Sequence, residues 1–188
     1  MRSLIYSMTV SLDGFIAAPD GAIGWSVPDE ELFRFHTDHV REIGTQLCGR
    51  RLYETMLYWE TAEESPLAAD QIEFAQIWKA LPKVVFSTTL QSVVGNTRLA
   101  EGDLGEEVSR LKQQPGKDLA VGGAGLARAC MKLELIDEWR LFLNPVLLGG
   151  GTPYFPALDE RVKLELVETR TFSSRVVFLR YRRVPDMV

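Results

Sequence analysis

The 188-residue sequence holds only two cysteines and two histidines, and no apolar run approaches the roughly 18 residues of a membrane-spanning helix. Cys48 and Cys130 are too few for a disulfide framework, and with no CxxC pair or His-rich cluster no metal site is expected. Each reads instead as a small apolar group filling a core. Basic residues are outnumbered by acidic ones, 21 to 26, so the net charge of −5 argues against a nucleic-acid backbone as the main partner. Met1 to Met8 lack an apolar segment followed by a cleavage site. Together these absences predict a soluble chain in a reducing, cytoplasmic setting, without membrane or nucleic-acid partners.

What is present is a globular makeup, 46% hydrophobic and 25% charged, with enough apolar residues for one substantial core. The length suits a single domain, 1–188. The chain is organised around Asp118 to Arg128. There a short apolar run, Leu119 to Val121, breaks into Gly122, Gly123 and Gly125, and a helical rhythm begins at Leu126. A strand, a tight turn and a helix start follow from that pattern. Glycines at such a turn let backbone N–H groups approach an anion, which the helix N-terminus favours. The spacing is Gly-Gly-x-Gly, so it is neither the G-x-G-x-x-G of a doubly wound dinucleotide fold nor a Walker A loop. A phosphate cradle and a close-packed structural turn are both compatible with it.

Along the rest of the chain, Leu4 to Ile16 reads as a strand interrupted by Ser11-Leu12-Asp13-Gly14. Ser26 and Asp29 form a capping-box pattern that opens a helix whose apolar face holds Leu32, Phe35, His39, Val40 and Ile43. Then come a strand at Thr45–Gly49, a helix at Leu52–Tyr58, and a second helix from Pro66 to just before Pro82. Lys83–Thr89 is expected as a strand, Asp103–Gln114 as an amphipathic helix and Glu138–Leu148 as a strand, while Val162–Thr171 and Val176–Val184 make an antiparallel pair. This order predicts an α/β domain with a mixed, mostly parallel sheet, flanking helices and a C-terminal antiparallel edge.

Open α/β sheets bind ligands beyond the carboxyl ends of their strands. Those ends carry Asp13-Gly14, Gly49-Arg50-Arg51, Ser87-Thr88 and Gly122 to Gly125, a set suited to a phosphorylated dinucleotide. The plainer readings are a solvated helix start for the arginines and strand-end capping for Ser87 and Thr88. Two carboxylates are candidate acids: Glu30 in the first turn of a helix, and Asp13 before Gly14 in a turn. His36 and His39 read as packed or solvent-facing.

The chain resembles the dihydrofolate reductase superfamily, and within it the reductase domain at the C-terminus of RibD. The matching pieces are Ser11 to Ala17, Gly49-Arg50 before a helix, Lys83 to Leu90, Val121 to Leu126, and Leu143 to Phe155. The resemblance implies a dihydrofolate reductase-like fold with NADPH across the strand ends. Gly122, Gly123, Ala124, Gly125 and Leu126 would approach the pyrophosphate, Gly49 with Arg50 and Arg51 the phosphates, and Ser87 with Thr88 the adenosine 2′-phosphate. Ile16, Ala17 and the loop to Trp25 would flank the nicotinamide. The reaction implied is hydride transfer to a pyrimidine- or pterin-like small molecule, with Glu30, partly buried and shifted upward in pKa, or Asp13 supplying the proton. A homodimer is also implied. Arg-Arg-Leu-Tyr-Glu after Gly49 is closer to dihydrofolate reductases, whereas Gly149-Gly150-Gly151 is closer to RibD. No H-x-E with P-C-x-x-C occurs, so deaminase activity is expected to be absent. The alternative on the same fold is a dimeric nucleotide-binding module without catalysis.

Overall fold

The computed structural model describes residues 1–61, 68–158 and 161–184. Its first strand, β1 (Leu4–Ser11), lies in the middle of the fold. Leu4, Tyr6 and Val10 are buried on one face of β1 within the main core, so alternation turns Ser7, Thr9 and Ser11 to the other face. Next come β2 (Phe15–Ala17), α1 (Glu30–Arg41), β3 (Ile43–Gly49) and α2 (Arg50–Glu60). Helix α3 (Ala69–Ala80), β4 (Lys83–Phe86), β5 (Thr97–Leu99) and α4 (Leu104–Gln113) follow. The last third holds β6 (Asp118–Gly122), α5 (Ala124–Lys132), β7 (Glu138–Asn144), β8 (Thr152–Pro153), β9 (Leu164–Thr171) and β10 (Val177–Arg183).

Eight strands form one sheet in the order β5-β4-β3-β6-β1-β7-β10-β9, and β2 pairs with β8 in a separate two-stranded sheet. From β5 to β7 all neighbours are parallel; β10 is antiparallel to both β7 and β9. This is the expected mixed sheet with an antiparallel edge. Helices α4 and α5 cover one face, packing Val108, Leu111, Ala127 and Cys130 against β1 and β6. On the other face α1 sets Leu32 and Phe35 against Phe142 and Phe178, and α2 sets Tyr53 against Cys48 and Val85. Both cysteines are unpaired and fully buried, and burial pushes their thiols up to about 12. Arg180 and Arg182, part of the basic run near the end, pair with the buried Glu138, and Arg183 pairs with Glu134.

Several boundaries differ from the sequence reading. Asp29, not Ser26, caps α1, accepting from the Leu32 N–H at 2.8 Å, while the Ser26 hydroxyl donates to the Ile23 carbonyl within a 3-10 turn. Ile43, read as a helical face residue, starts β3 instead. The strand expected over Lys83–Thr89 stops at Phe86, because the Ser87 hydroxyl accepts from the Thr89 and Leu90 N–H groups and turns the chain. Strand β7 stops at Asn144, before Pro145, which has no N–H for the ladder. The helix start at Pro66 lies outside the described residues. Strands β2, β5 and β8, two or three residues each, are too short to leave a periodic signal.

Candidate cofactor crevice and active site

The N-termini of α2 and α5 meet beyond the ends of β3 and β6. Gly49 and Gly123 are their N-cap residues, and neither helix has a side-chain cap. A Cβ built on Gly123 would lie 4.0 Å from the Gly49 nitrogen, so two sets of uncapped N–H groups open side by side. That arrangement favours an anion. The glycines divide the work. At Gly122 a Cβ would fall 2.2 Å from Leu52 Cδ2, the tip of a flexible side chain that would have to move aside. Gly123 adopts φ +91, a left-handed conformation, and a Cβ on Gly125 would meet nothing within 4 Å. Thus a side chain at 122 would require Leu52 to repack, and Gly125 is where a ligand has room to approach.

Arg50 carries this anionic preference to the neighbouring strand end. Its guanidinium donates to Glu54 at 2.7 Å and to the Thr89 hydroxyl at 2.9 Å. Arg50, Ser87, Thr88, Thr89, Asp103 and Leu126 line one open cleft of about 580 Å³. Asp103 is occupied there as the cap of α4, accepting from Gly105 and Glu106. Of the positions predicted from separate parts of the chain, Arg50, Ser87, Thr88 and Leu126 share this cleft, while Gly122, Gly123 and Gly125 do not line it. Arg51 is exposed and stands outside it. Thr89 was not anticipated; the hydroxyl run Ser87-Thr88-Thr89 was its signal.

The expected nicotinamide-side residues are placed less simply. Ile16 is buried and packs within the main core. Ala17 is partly exposed, and its carbonyl lies where a Cβ on Gly151 would come within 2.0 Å. Trp25 is partly exposed, its ring N–H bonded to the Ala22 carbonyl at 3.1 Å. Ser7 and Thr9, half-buried on the α1-facing side of β1, form a polar row that an alternation count over β1 would have found.

Glu30 departs from the sequence reading, whereas Asp13 sits, as expected, in a turn before Gly14. Glu30 opens α1 with its side chain 78% exposed and paired to Arg34 at 2.9 Å, which corrects the expected partial burial. Asp13 accepts from the Ser11 hydroxyl at 2.6 Å, from the Leu148 N–H at 3.1 Å and from the Gly149 N–H at 2.7 Å. Those donors, Ser11 foremost, hold its carboxyl below the ordinary value, the opposite of what a neutral-pH proton donor needs. Its evident work is to tie the loop after β7 to the end of β1. His36 and His39 pack against Phe142.

Among the described residues no helix is long and apolar enough to cross a membrane. "Uncharacterized protein YyaP" of Bacillus subtilis (strain 168) is 35% identical over 184 residues, covering 96% of this chain and 94% of that protein. Among solved structures, a proposed riboflavin biosynthesis protein from Shewanella sp. PV-4 superposes with a TM-score of 0.78 at 23% identity, covering 98% of this chain and all of that one. Dihydrofolate reductase from Enterococcus faecalis, complexed with NADP(H) and RAB-propyl, gives a TM-score of 0.65 at 16% identity, with 96% of each chain covered. These two likenesses establish a dihydrofolate reductase-like fold. The RibD C-terminal domain family matches residues 2–178, nearly the whole length, and the chain belongs to that family.

Proposed function

We propose that this protein is an NADPH-dependent reductase that transfers a hydride to a pyrimidine- or pterin-like heterocycle. The reading rests on one observation: the uncapped N-termini of α2 and α5 adjoin a cleft lined by Arg50, Ser87, Thr88 and Leu126. A dinucleotide with a third phosphate suits that layout. Backbone N–H groups at Gly123 to Gly125 would hold the pyrophosphate, and Arg50 with the Ser87, Thr88 and Thr89 hydroxyls would hold the 2′-phosphate. Open space at Gly125 supports the fit. Arg51, exposed beside this cleft, would add long-range attraction rather than a contact. NADPH, when bound, supplies the hydride; the chain's task is to orient the reacting partners and exclude water. Ala17, Trp25 and the Asp13-fastened loop at Leu148–Gly149 would shape the nicotinamide side. Because the Glu30 carboxylate is exposed and paired with Arg34, solvent is our proposed proton source, with Glu30 contributing at most a minor share.

The same exposure favours a second reading, a nucleotide-binding module that does not turn over, because no buried carboxylic acid adjoins the crevice among the assigned positions. Stopped-flow oxidation of NADPH against pterins and aminouracils separates the two. Turnover with any of them supports the reductase; tight NADPH binding with no oxidation across the panel supports the module. Absence of NADPH binding would remove both. We further propose a cytoplasmic homodimer. Two buried, unpaired thiols support the reducing compartment, and the outer edge of β9, with Leu166 and Val167 exposed, is the surface for the partner copy.

A further inference from the structure

Helix α2 begins with a charge arrangement that stability does not explain. Its first turn carries Arg50 and Arg51 and no acidic residue, so two cations stand at the positive end of the helix dipole. Glu54 follows Arg50 one turn on, and its carboxylate accepts from the Arg50 Nε at 2.7 Å. With the arginine nearer the N-terminus, this is the weaker order for such a pair. Both side chains are about half exposed, where an ion pair adds little to the fold. The effect of Glu54 falls on the arginine rather than on the helix.

A second group holds the same guanidinium from another element. Thr89, beyond the end of β4, accepts from the Arg50 Nη1 at 2.9 Å. Of the five donors that a guanidinium has, one on Nε and one on Nη1 thus face protein acceptors, and Nη2 has none among the described residues. Glu54 and Thr89 fix the plane of the group and leave its Nη1–Nη2 end open, an end that can take two phosphate oxygens at once. An exposed arginine otherwise samples many rotamers, and ordering it on a ligand weakens binding. We propose that Glu54 is a positioning residue, which holds Arg50 ready for the 2′-phosphate and so sets the preference for NADPH over NADH. The inference rests on the cofactor reading above and adds to it a residue that does not itself line the cleft. The Glu54 carboxylate also repels the phosphate, so the gain from orientation and the loss from charge oppose each other.

Glu54→Gln and Glu54→Met separate the two effects. Both remove the charge at similar length and helix propensity, and only glutamine keeps an oxygen to accept from Nε. Affinities for NADPH and NADH are measured by calorimetric titration of the full chain. The expected result is an NADPH-over-NADH preference about threefold higher in Glu54→Gln than in Glu54→Met, with NADH affinity the same in both. That shared NADH affinity also shows that the two variants are folded. In the Arg50→Gln background the difference disappears, since Glu54 then has no guanidinium to orient. Equal preference in the two variants overturns the proposal and leaves Glu54 as a counter-charge alone. A difference that survives without Arg50 overturns it as well, because Glu54 would then act by another route. A wild type with no preference for NADPH is a separate failure: it removes the 2′-phosphate reading itself, and the role of Glu54 with it.

Discussion

Asp13 accepts a 2.7 Å hydrogen bond from the backbone N–H of Gly149, a residue 136 positions later in the chain. With the Leu148 N–H and the Ser11 hydroxyl also donating, one carboxylate fastens the loop after β7 to the end of β1. Asp13→Asn keeps the shape but replaces one acceptor oxygen by a donor, so it loosens that loop. The folded carboxyl titrates below its ordinary value of 3.8, which means its stabilisation is complete above that value and is lost as pH falls through the lower, folded one. Thermal melts should therefore show a gap between wild type and variant that is constant from pH 7 to about 5 and narrows below about 4. A gap independent of pH down to 3 would mean that the charge is not what holds the loop.

Two glycine substitutions should have opposite effects on stability. In Gly151→Ala the new Cβ would meet the Ala17 carbonyl oxygen at 2.0 Å at a backbone φ of +128, and backbone cannot yield as a flexible side chain can. A loss of about 3 kcal/mol or more is expected in urea unfolding. In Gly125→Ala the Cβ enters open space within the first turn of α5, so the fold should gain about 0.5 kcal/mol from helix propensity. The same methyl stands where the pyrophosphate would approach, and NADPH affinity should fall. A Gly125→Ala protein that binds NADPH as wild type does would place the cofactor elsewhere.

Arg50→Gln should separate the two nicotinamide cofactors. Its pair with Glu54 is an exposed i,i+4 contact, worth about 0.3–0.5 kcal/mol, so unfolding should barely change. Loss of a charge-assisted contact to a 2′-phosphate should weaken NADPH by about tenfold and leave NADH nearly untouched. Tryptophan fluorescence titrations with both cofactors give the ratio directly. Equal weakening of the two would assign Arg50 to the shared pyrophosphate.

The parts of this arrangement legible in the sequence were those with a local signature. The change from strand to helical rhythm across Gly122 to Leu126 located a turn, and the strand-end positions of Arg50 and Ser87 put them on one edge of the sheet. Partners far away in sequence left no such trace, as with Asp13 and Gly149. Glu30 is different, because its exposure was implied by a residue already assigned to the apolar face. Leu32 is two positions on, about 200° around the helix, so burying Leu32 against Phe142 turns Glu30 outward. The likeness to a family motif favoured Glu30; helix geometry on the same segment did not.

Histidine on the sheet-facing side of α1 should make stability fall in mild acid. His36 lies against Phe142 at 4.1 Å between ring centres, and burial, helped by the charge of His39, lowers its pKa to about 4. The unfolded chain then binds a proton near 6.5 that the folded one refuses until about 4, so stability is full above 6.5 and declines between those values. From pH 7 to pH 5 the contribution lost is about 1–2 kcal/mol. His36→Leu should flatten that part of the curve, though not entirely, because burial shifts His39 in the same direction. A decline as steep in the variant as in wild type would shift the acid sensitivity to other groups.

Glu30→Gln addresses how the proton arrives. A positioned general acid contributes about 10²–10⁴-fold in rate, and it does so by holding a proton at the reacting atom where water is scarce. The Glu30 carboxylate is mostly solvated and engaged with Arg34, so it exchanges protons with the same water that can reach the site without it. Replacing it by glutamine should therefore lower NADPH-dependent turnover by less than about tenfold, well short of the range for a positioned acid. Solvent delivery also predicts a solvent isotope effect of similar size in wild type and variant, since the donor is the same. A fall of a hundredfold or more with NADPH affinity intact would require α1 to rotate when substrate binds and carry Glu30 inward. The Asp29 cap and the Glu31 contacts with Ser173 and Arg170 would have to break for that rotation, and their loss would be visible as new amide exchange at Ser173.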